Sequence, residues 1–302
     1  MKALGGVLVA LASPLHQDGS VDEAGVARLV EHVLAGRVHG LLALGSTGET
    51  ATLDEPARRA LLEAVVKTAA ARVPVLCGVA QPQLSSTIAE IDTARSLGAD
   101  AVVVAPPFYY PTDQAGVVDF YRGVAERASL PVLLYHIPQF TKVHIEPATV
   151  AMLAREGAIH GVKDSSRDFE NFEGLCIATR DAPDFQVFTG SDTMLVASLA
   201  AGGSGTICGA GNVAPAWVVR VYDAFQRGDL AAARESQERL YGLTTSLREG
   251  VFPLAIKAAL HAQGVCEPWS APPARQLAEP AQRALRTKLA ELGLLTPETS
   301  RH

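Results

Sequence analysis

Lys163 ends a short apolar run, Ala158-Ile159-His160-Gly161-Val162, and is followed by Asp164-Ser165-Ser166. A lysine leaving a buried strand has little water around its stem, and desolvation disfavours the ammonium, freeing the amine to attack a carbonyl carbon. The plainer alternative is a structural lysine paired with a nearby acid such as Asp164. Tyr135 closes a similar run, in Tyr135-His136-Ile137-Pro138. Its phenol suits general acid/base work, or packing with a satisfied hydroxyl. Gly45-Ser46-Thr47-Gly48 can bring backbone N–H groups and two hydroxyls around a small carboxylate; it can equally be a turn that simply needs glycines. Pro106-Pro107-Phe108-Tyr109-Tyr110 adds a second tyrosine site.

These residues all sit at the ends of apolar runs, and the runs recur. Segments 6–12, 38–44, 73–79, 99–105, 130–136, 158–163, 185–189 and 203–208 are short, apolar and rich in β-branched residues, as strands buried on both faces of a parallel sheet must be. Amphipathic stretches lie between them. Residues 22–37 place Val26, Leu29, Val30, Val33 and Leu34 on one face. Residues 84–98 offer Ser85 and Ser86 as caps and turn Ile88, Ile91 and Leu97 inward. Residues 191–201 end at Gly202 and Gly203.

Strands alternating with helices imply a closed barrel or a doubly wound sheet. The open sheet announces itself by GxGxxG after its first strand; here Ser13-Pro14-Leu15 follows instead. The chain therefore predicts an α/β fold, a (β/α)8 TIM barrel over 1–225 that carries the active site at the C-terminal ends of its strands. A C-terminal three-helix appendage over 226–302 follows, with helices at 229–248, 252–263 and 275–292. Gly202-Gly203-Ser204-Gly205 and Gly209-Ala210-Gly211 flank the eighth strand, where some barrels hold phosphate; small residues allowing close approach to the lysine are the simpler account.

Composition narrows the function. The 302 residues carry a net charge of −6, with no basic run, which argues against nucleic acid as a partner. The eight histidines show no HxH or HExxH spacing, so no metal site is expected. Cys77, Cys176, Cys208 and Cys266 form neither a disulfide framework nor a CxxC pair, which suits a reducing cytoplasm. The apolar stretch 7–12 is too short to cross a membrane.

In order along the chain, Gly5-Gly6, the GSTGE turn at 45–49, YxxP at 135–138, GVKD at 161–164, GSD at 190–192 and Gly211-Asn212-Val213 resemble the dihydrodipicolinate synthase / N-acetylneuraminate lyase family. The resemblance runs from about Leu4 to the C-terminus. It implies a class I aldolase, usually tetrameric though a dimer is also open, that binds pyruvate as a lysine imine and uses no cofactor. By motif, Lys163 is the Schiff-base lysine and Tyr135 the proton-transfer residue. Ser46, Thr47 and Gly48 hold the pyruvate carboxylate, with Thr47 also relaying protons to Tyr135. Tyr109 reaches a neighbouring subunit's site, and Ile207 places its carbonyl near the lysine.

The departures bear on the second substrate. Phe140 stands where the synthases carry an arginine for the carboxylate of aspartate semialdehyde, and Lys142 replaces a glycine. Ser191-Asp192-Thr193 differs from the Tyr-Asp-Glu of the sialic acid lyases, and the GSD with Pro106–Pro111 resembles the 2-keto-3-deoxygluconate-type aldolases more closely. The implied activity is cleavage or formation of a C–C bond between pyruvate and an aldehyde. The alternatives are dihydrodipicolinate synthase, a sugar-acid dehydratase or hydratase, and a non-catalytic protein that binds a 2-oxo acid.

Overall fold

The computed structural model describes residues 4–295 apart from Pro111 and Pro183, so the last residue of the Pro106–Pro111 stretch and the end of the 226–302 segment lie outside the described residues. Eight parallel strands close on themselves in chain order: β1 Gly6–Ala10, β2 Gly40–Ala43, β3 Val75–Val79, β4 Ala101–Val104, β5 Val132–His136, β6 Gly161–Asp164, β7 Gln186–Thr189 and β8 Gly205–Cys208. β1 pairs with both β2 and β8. Each strand is shorter than the apolar run that announces it, because the run records burial and the ladder records pairing. Leu11 and Ala12, for example, are buried beyond the end of β1.

Alternation along the strands divides the core in two. Leu8, Leu42, Leu76, Leu133, Phe188 and Ile207 fill the barrel interior. Val7, Val9, Leu41, Val75, Val102, Val132 and Val162 face outward under the helices. Both faces are dry, which is why the runs read as continuous rather than alternating. Asn212 closes the ring after β8: its amide donates to Ala10 O at 2.7 Å and accepts from Ala12 N at 2.9 Å.

The helix Glu23–Ala35 starts at Asp22, whose carboxylate accepts from Gly25 N at 2.8 Å, and buries Val26, Leu29, Val30 and Val33. The helix Leu84–Ser96 differs from the sequence expectation. Gln83 occupies the cap position with no side-chain cap bond, and Ser85 and Ser86 lie inside the first turn. Only Ile91 of its three expected core residues is fully buried; Ile88 and Leu97 are half-buried. The segment expected as one helix over 191–201 is a single 3₁₀ turn, Asp192–Met194, followed by Leu195–Ala200.

After the helix Pro215–Gln226 come three more, Leu230–Ser246, Leu254–Ala262 and Glu279–Glu291. A buried ion pair ties this region to the barrel. Lys257 meets Glu49 Oε1, and Glu49 Oε2 accepts from Ala271 N at 2.9 Å. The four cysteines are free and buried. No helix among the described residues is long and apolar enough to cross a membrane.

Candidate active site

Tyr135 and Lys163 are register partners on β5 and β6, so the pairing of two strands sets them side by side at one level of the barrel. Alternation decides where each neighbour points. Val162 faces the outer core and Lys163 the interior, which sends Asp164 outward again. There Asp164 Oδ1 meets His136 Nδ1 at 2.8 Å. His136 Nε2 accepts from Ile145 N at 3.2 Å, so the proton sits on Nδ1 and is donated to the carboxylate. Asp164 also accepts from Ser166 N and Oγ. Its capacity is spent on the outer face, and the pairing with Lys163 that the sequence left open is not made.

Lys163 is 4% exposed. Its Nζ donates to Tyr135 Oη at 3.3 Å and lies 4.3 Å from the centroid of the Tyr135 ring. Tyr135 Oη is also 3.3 Å from Ser46 Oγ. The contact runs Ser46–Tyr135–Lys163, so Ser46 rather than Thr47 supplies the hydroxyl that meets the tyrosine. Ser46, Thr47, Tyr135, Lys163 and Ile207 all line one cavity of about 380 Å³ at the C-terminal ends of the strands.

Gly48 and Tyr109 stand apart from that lining. Gly48 serves the turn: its N–H donates to Gly45 O at 3.0 Å and its carbonyl accepts from Ser13 Oγ at 2.7 Å. Tyr109 is 84% exposed, stacked edge-on against Tyr110 on the surface of this chain. Gly202–Ser204 precede β8 and Gly205 opens it, so they lie at the opposite end of the barrel from Lys163. Gly205 packs so tightly on Gly6 that a β-carbon would clash with its carbonyl, and Gly203 is held close to Ser198 and Phe172, whereas Gly202 faces open space with φ 100°. The close approach is to β1 and to helices rather than to the lysine. After β8, Gly209 and Ala210 do line the cavity.

Sequence reasoning missed the rest of the wall. Asp192, at the end of the GSD turn, is buried beside the lysine. Its Oδ2 accepts from Ala210 N at 3.1 Å, while its Oδ1 has no partner. Burial pushes the carboxyl up to about 6, against the opposing pull of the Ala210 and Gly209 N–H groups and of the Lys163 and Arg248 charges. Thr244, Leu247, Arg248, Phe252 and Ile256 bring the C-terminal region into the lining, although the sequence placed the whole site in the barrel. Phe140 faces Phe252 with ring centroids 6.3 Å apart. Lys142 has φ 60°, the left-handed conformation that favours the glycine it replaces, and its ammonium donates to Gln139 O at 2.8 Å. A second cavity of about 850 Å³ shares Ser46, Tyr135, Phe140 and Phe252 but is mostly apolar and does not contain the lysine. No group of three or more His, Cys, Asp or Glu side chains is placed to hold a metal ion among the described residues.

The sequence profile of the dihydrodipicolinate synthetase family matches residues 3–292. An uncharacterised DapA-like lyase of Halobacterium salinarum is 37% identical over 292 residues, covering 97% of this chain and 95% of that protein. Among solved structures, dihydrodipicolinate synthase from Thermotoga maritima superposes with a TM-score of 0.94 at 31% identity, over 97% of this chain and 100% of that one. YagE, a prophage protein of the dihydrodipicolinic acid synthase family from E. coli K12 in complex with pyruvate, gives 0.92 at 31% identity, over 96% of this chain and 99% of that one.

Proposed function

The chain belongs to the dihydrodipicolinate synthetase family and is a lyase of the class I aldolase type, and from that premise we propose that it makes or breaks a C–C bond between pyruvate and an aldehyde through an imine on Lys163. The observation that supports this most is the buried amine held 3.3 Å from a phenol in a cavity at the C-terminal ends of the strands. Lys163 Nζ attacks the keto carbon of pyruvate, water leaves, and a protonated imine results. Loss of a C3 proton gives the enamine, whose C3 attacks the aldehyde carbon while the aldehyde oxygen takes a proton. Hydrolysis of the new imine frees product and lysine. The reverse sequence cleaves a 2-oxo-3-deoxy acid. The iminium is the electron sink, so the scheme draws on no cofactor.

In this reading Tyr135 carries the proton to and from the aldehyde oxygen, with Ser46 on its far side. Ser46, Thr47 and the Gly48 turn receive the pyruvate carboxylate, and Ile207 walls the imine. The exposed Tyr109 completes the site of a neighbouring subunit in a dimer or tetramer. The barrel over 1–225 and the helical region over 226–302 then act as one enzyme of the cytoplasm. YagE, crystallised with pyruvate, supports the choice of keto acid.

The name of the Thermotoga relative favours a second reading, dihydrodipicolinate synthase, whose aldehyde is aspartate semialdehyde. Phe140 weighs against it, because an aromatic ring donates no hydrogen bond to a carboxylate that the synthases hold with a bidentate arginine. Steady-state turnover of pyruvate with aspartate semialdehyde and with glyceraldehyde separates the two. The 2-keto-3-deoxy acid reading expects kcat/KM for aspartate semialdehyde roughly tenfold or more below that for glyceraldehyde. The reverse preference establishes the synthase.

A further inference from the structure

Six arginines, Arg28, Arg58, Arg72, Arg122, Arg234 and Arg283, each meet a carboxylate. Others, such as Arg95 and Arg127, reach into solvent without one among the described residues, so it is position that marks a site. Two arginines without a carboxylate partner line the Lys163 cavity. Arg167, in the loop after β6, makes no hydrogen bond or ion pair among the described residues, and Arg248 makes one long contact, 3.4 Å to Thr193 Oγ1. Arg167 also has φ 65°, a left-handed conformation that side chains disfavour, yet the chain keeps an arginine there. The chain as a whole carries −6, but the cavity lining holds Lys163, Arg167 and Arg248 against one acid, Asp192.

The same lining also holds unmet polar demand. Asp192 Oδ1 and Thr244 Oγ1 are buried without partners, each on a residue 7% exposed. Unpartnered groups of this kind cost free energy unless a ligand satisfies them. A hydroxyl, which both donates and accepts, can serve a carboxylate and a threonine alike. Phe140 and Phe252 bring only aromatic surface to the lining, and the Lys142 ammonium is bound to Gln139 O outside it.

Resting on the pyruvate aldolase reading above, we propose that Arg167 and Arg248 form an anion subsite, and that the partner aldehyde is a hydroxylated one ending in a carboxylate or phosphate and bearing no ammonium. The aldehyde carbon meets the enamine at Lys163, its hydroxyl falls to Asp192 and Thr244, and its anionic end reaches the guanidiniums. Planar guanidinium forks recognise carboxylate and phosphate oxygens in pairs. An ammonium on the same chain would face two fixed positive charges, which sets this class apart from aspartate semialdehyde.

Three aldehydes differing only at the far end test this: glyceraldehyde, tartronate semialdehyde, which ends in a carboxylate, and glyceraldehyde 3-phosphate. Each is assayed with pyruvate in wild type, Arg167→Gln, Arg248→Gln and Arg248→Lys. Wild type prefers at least one anionic aldehyde over glyceraldehyde, and whichever is preferred identifies the terminal group. Each glutamine variant lowers the anionic-to-neutral ratio of kcat/KM roughly ten- to a hundredfold, and Arg248→Lys, keeping charge without the fork, falls between. The ratio is internal to each variant, so a folding defect cannot imitate the result. Preference for glyceraldehyde in wild type, or ratios unmoved by the substitutions, overturns the proposal. Borohydride trapping of pyruvate on wild type is run alongside. With an adduct at Lys163, such results defeat this subsite alone; without one, the aldolase reading itself fails.

Discussion

At the bottom of the cavity, Tyr135, Lys163 and Ile207 project from hydrogen-bonded strands, all buried, and register alone fixes their neighbours. On the upper wall, Arg167, Arg248 and Phe252 hang from loops and helix ends and are exposed. The first arrangement suits chemistry that must place an amine and a phenol to within a few tenths of an ångström. The second suits discrimination among partners, because wall side chains can change without disturbing a strand. Closed α/β barrels divide labour in this way, with a packed barrel below and variable loops above.

Lys163 carries the largest expected effect. Lys163→Ala should reduce turnover to background with every aldehyde; residual activity that varied with the aldehyde would mean the wall contributes the chemistry. Tyr135→Phe keeps the ring against Lys163 and removes one hydroxyl, so the fold should survive by circular dichroism while kcat falls roughly 10²–10⁴-fold. A near-wild-type kcat would transfer the proton role to Ser46 or water.

The bottom and the wall are strapped together by Glu49 and Lys257. Burial lowers the pKa of Lys257, and the Glu49 carboxylate opposes that. Lys257→Met leaves Glu49 buried without its cation and should cost about 3–5 kcal/mol in urea unfolding. Adding Glu49→Gln should recover much of that loss, since a neutral amide is far cheaper to bury than a carboxylate. Equal stability of the single variant and wild type would show that the pair does not bind the regions together.

Asp192, which sits between the two regions, gives the smallest effect. Its carboxyl ionises less readily in the folded chain, at about 6 against an ordinary 3.8. Its contribution to stability is therefore complete below about pH 3.8 and is lost as pH rises through about 6. Asp192→Asn does not titrate, so it should gain on wild type between pH 4 and 8 by on the order of 2–3 kcal/mol in urea unfolding. A pH-independent difference would mean the carboxyl is not buried as described.

What the sequence revealed follows the same division. The eight strands, the barrel and the candidate residues Lys163 and Tyr135 were legible because a strand buried on both faces leaves an apolar run whose C-terminal end opens on the cavity. Whether Lys163 pairs with Asp164 was not legible, since it depends on which face each residue takes and on His136, 28 positions earlier in the chain, being free to claim the carboxylate. Asp192 was visible as a motif but not as an unpartnered buried acid. Arg167, Thr244 and Arg248 carry no periodic signal: loop closure and helix docking bring them to the cavity, and only the folded chain shows it. Ser85 and Ser86 looked like caps by type, yet the helix begins one residue earlier, at Leu84.

The proposed chemistry requires covalent attachment of pyruvate to one amine, and reduction of that intermediate measures it directly. Enzyme incubated with pyruvate and borohydride, then digested and mapped by mass spectrometry, should carry a reduced pyruvyl adduct on the peptide containing Lys163, with activity lost in proportion. Lys163→Ala should take up none. An adduct on another lysine, or full activity surviving reduction in the presence of pyruvate, would contradict the imine chemistry on which the proposed function stands.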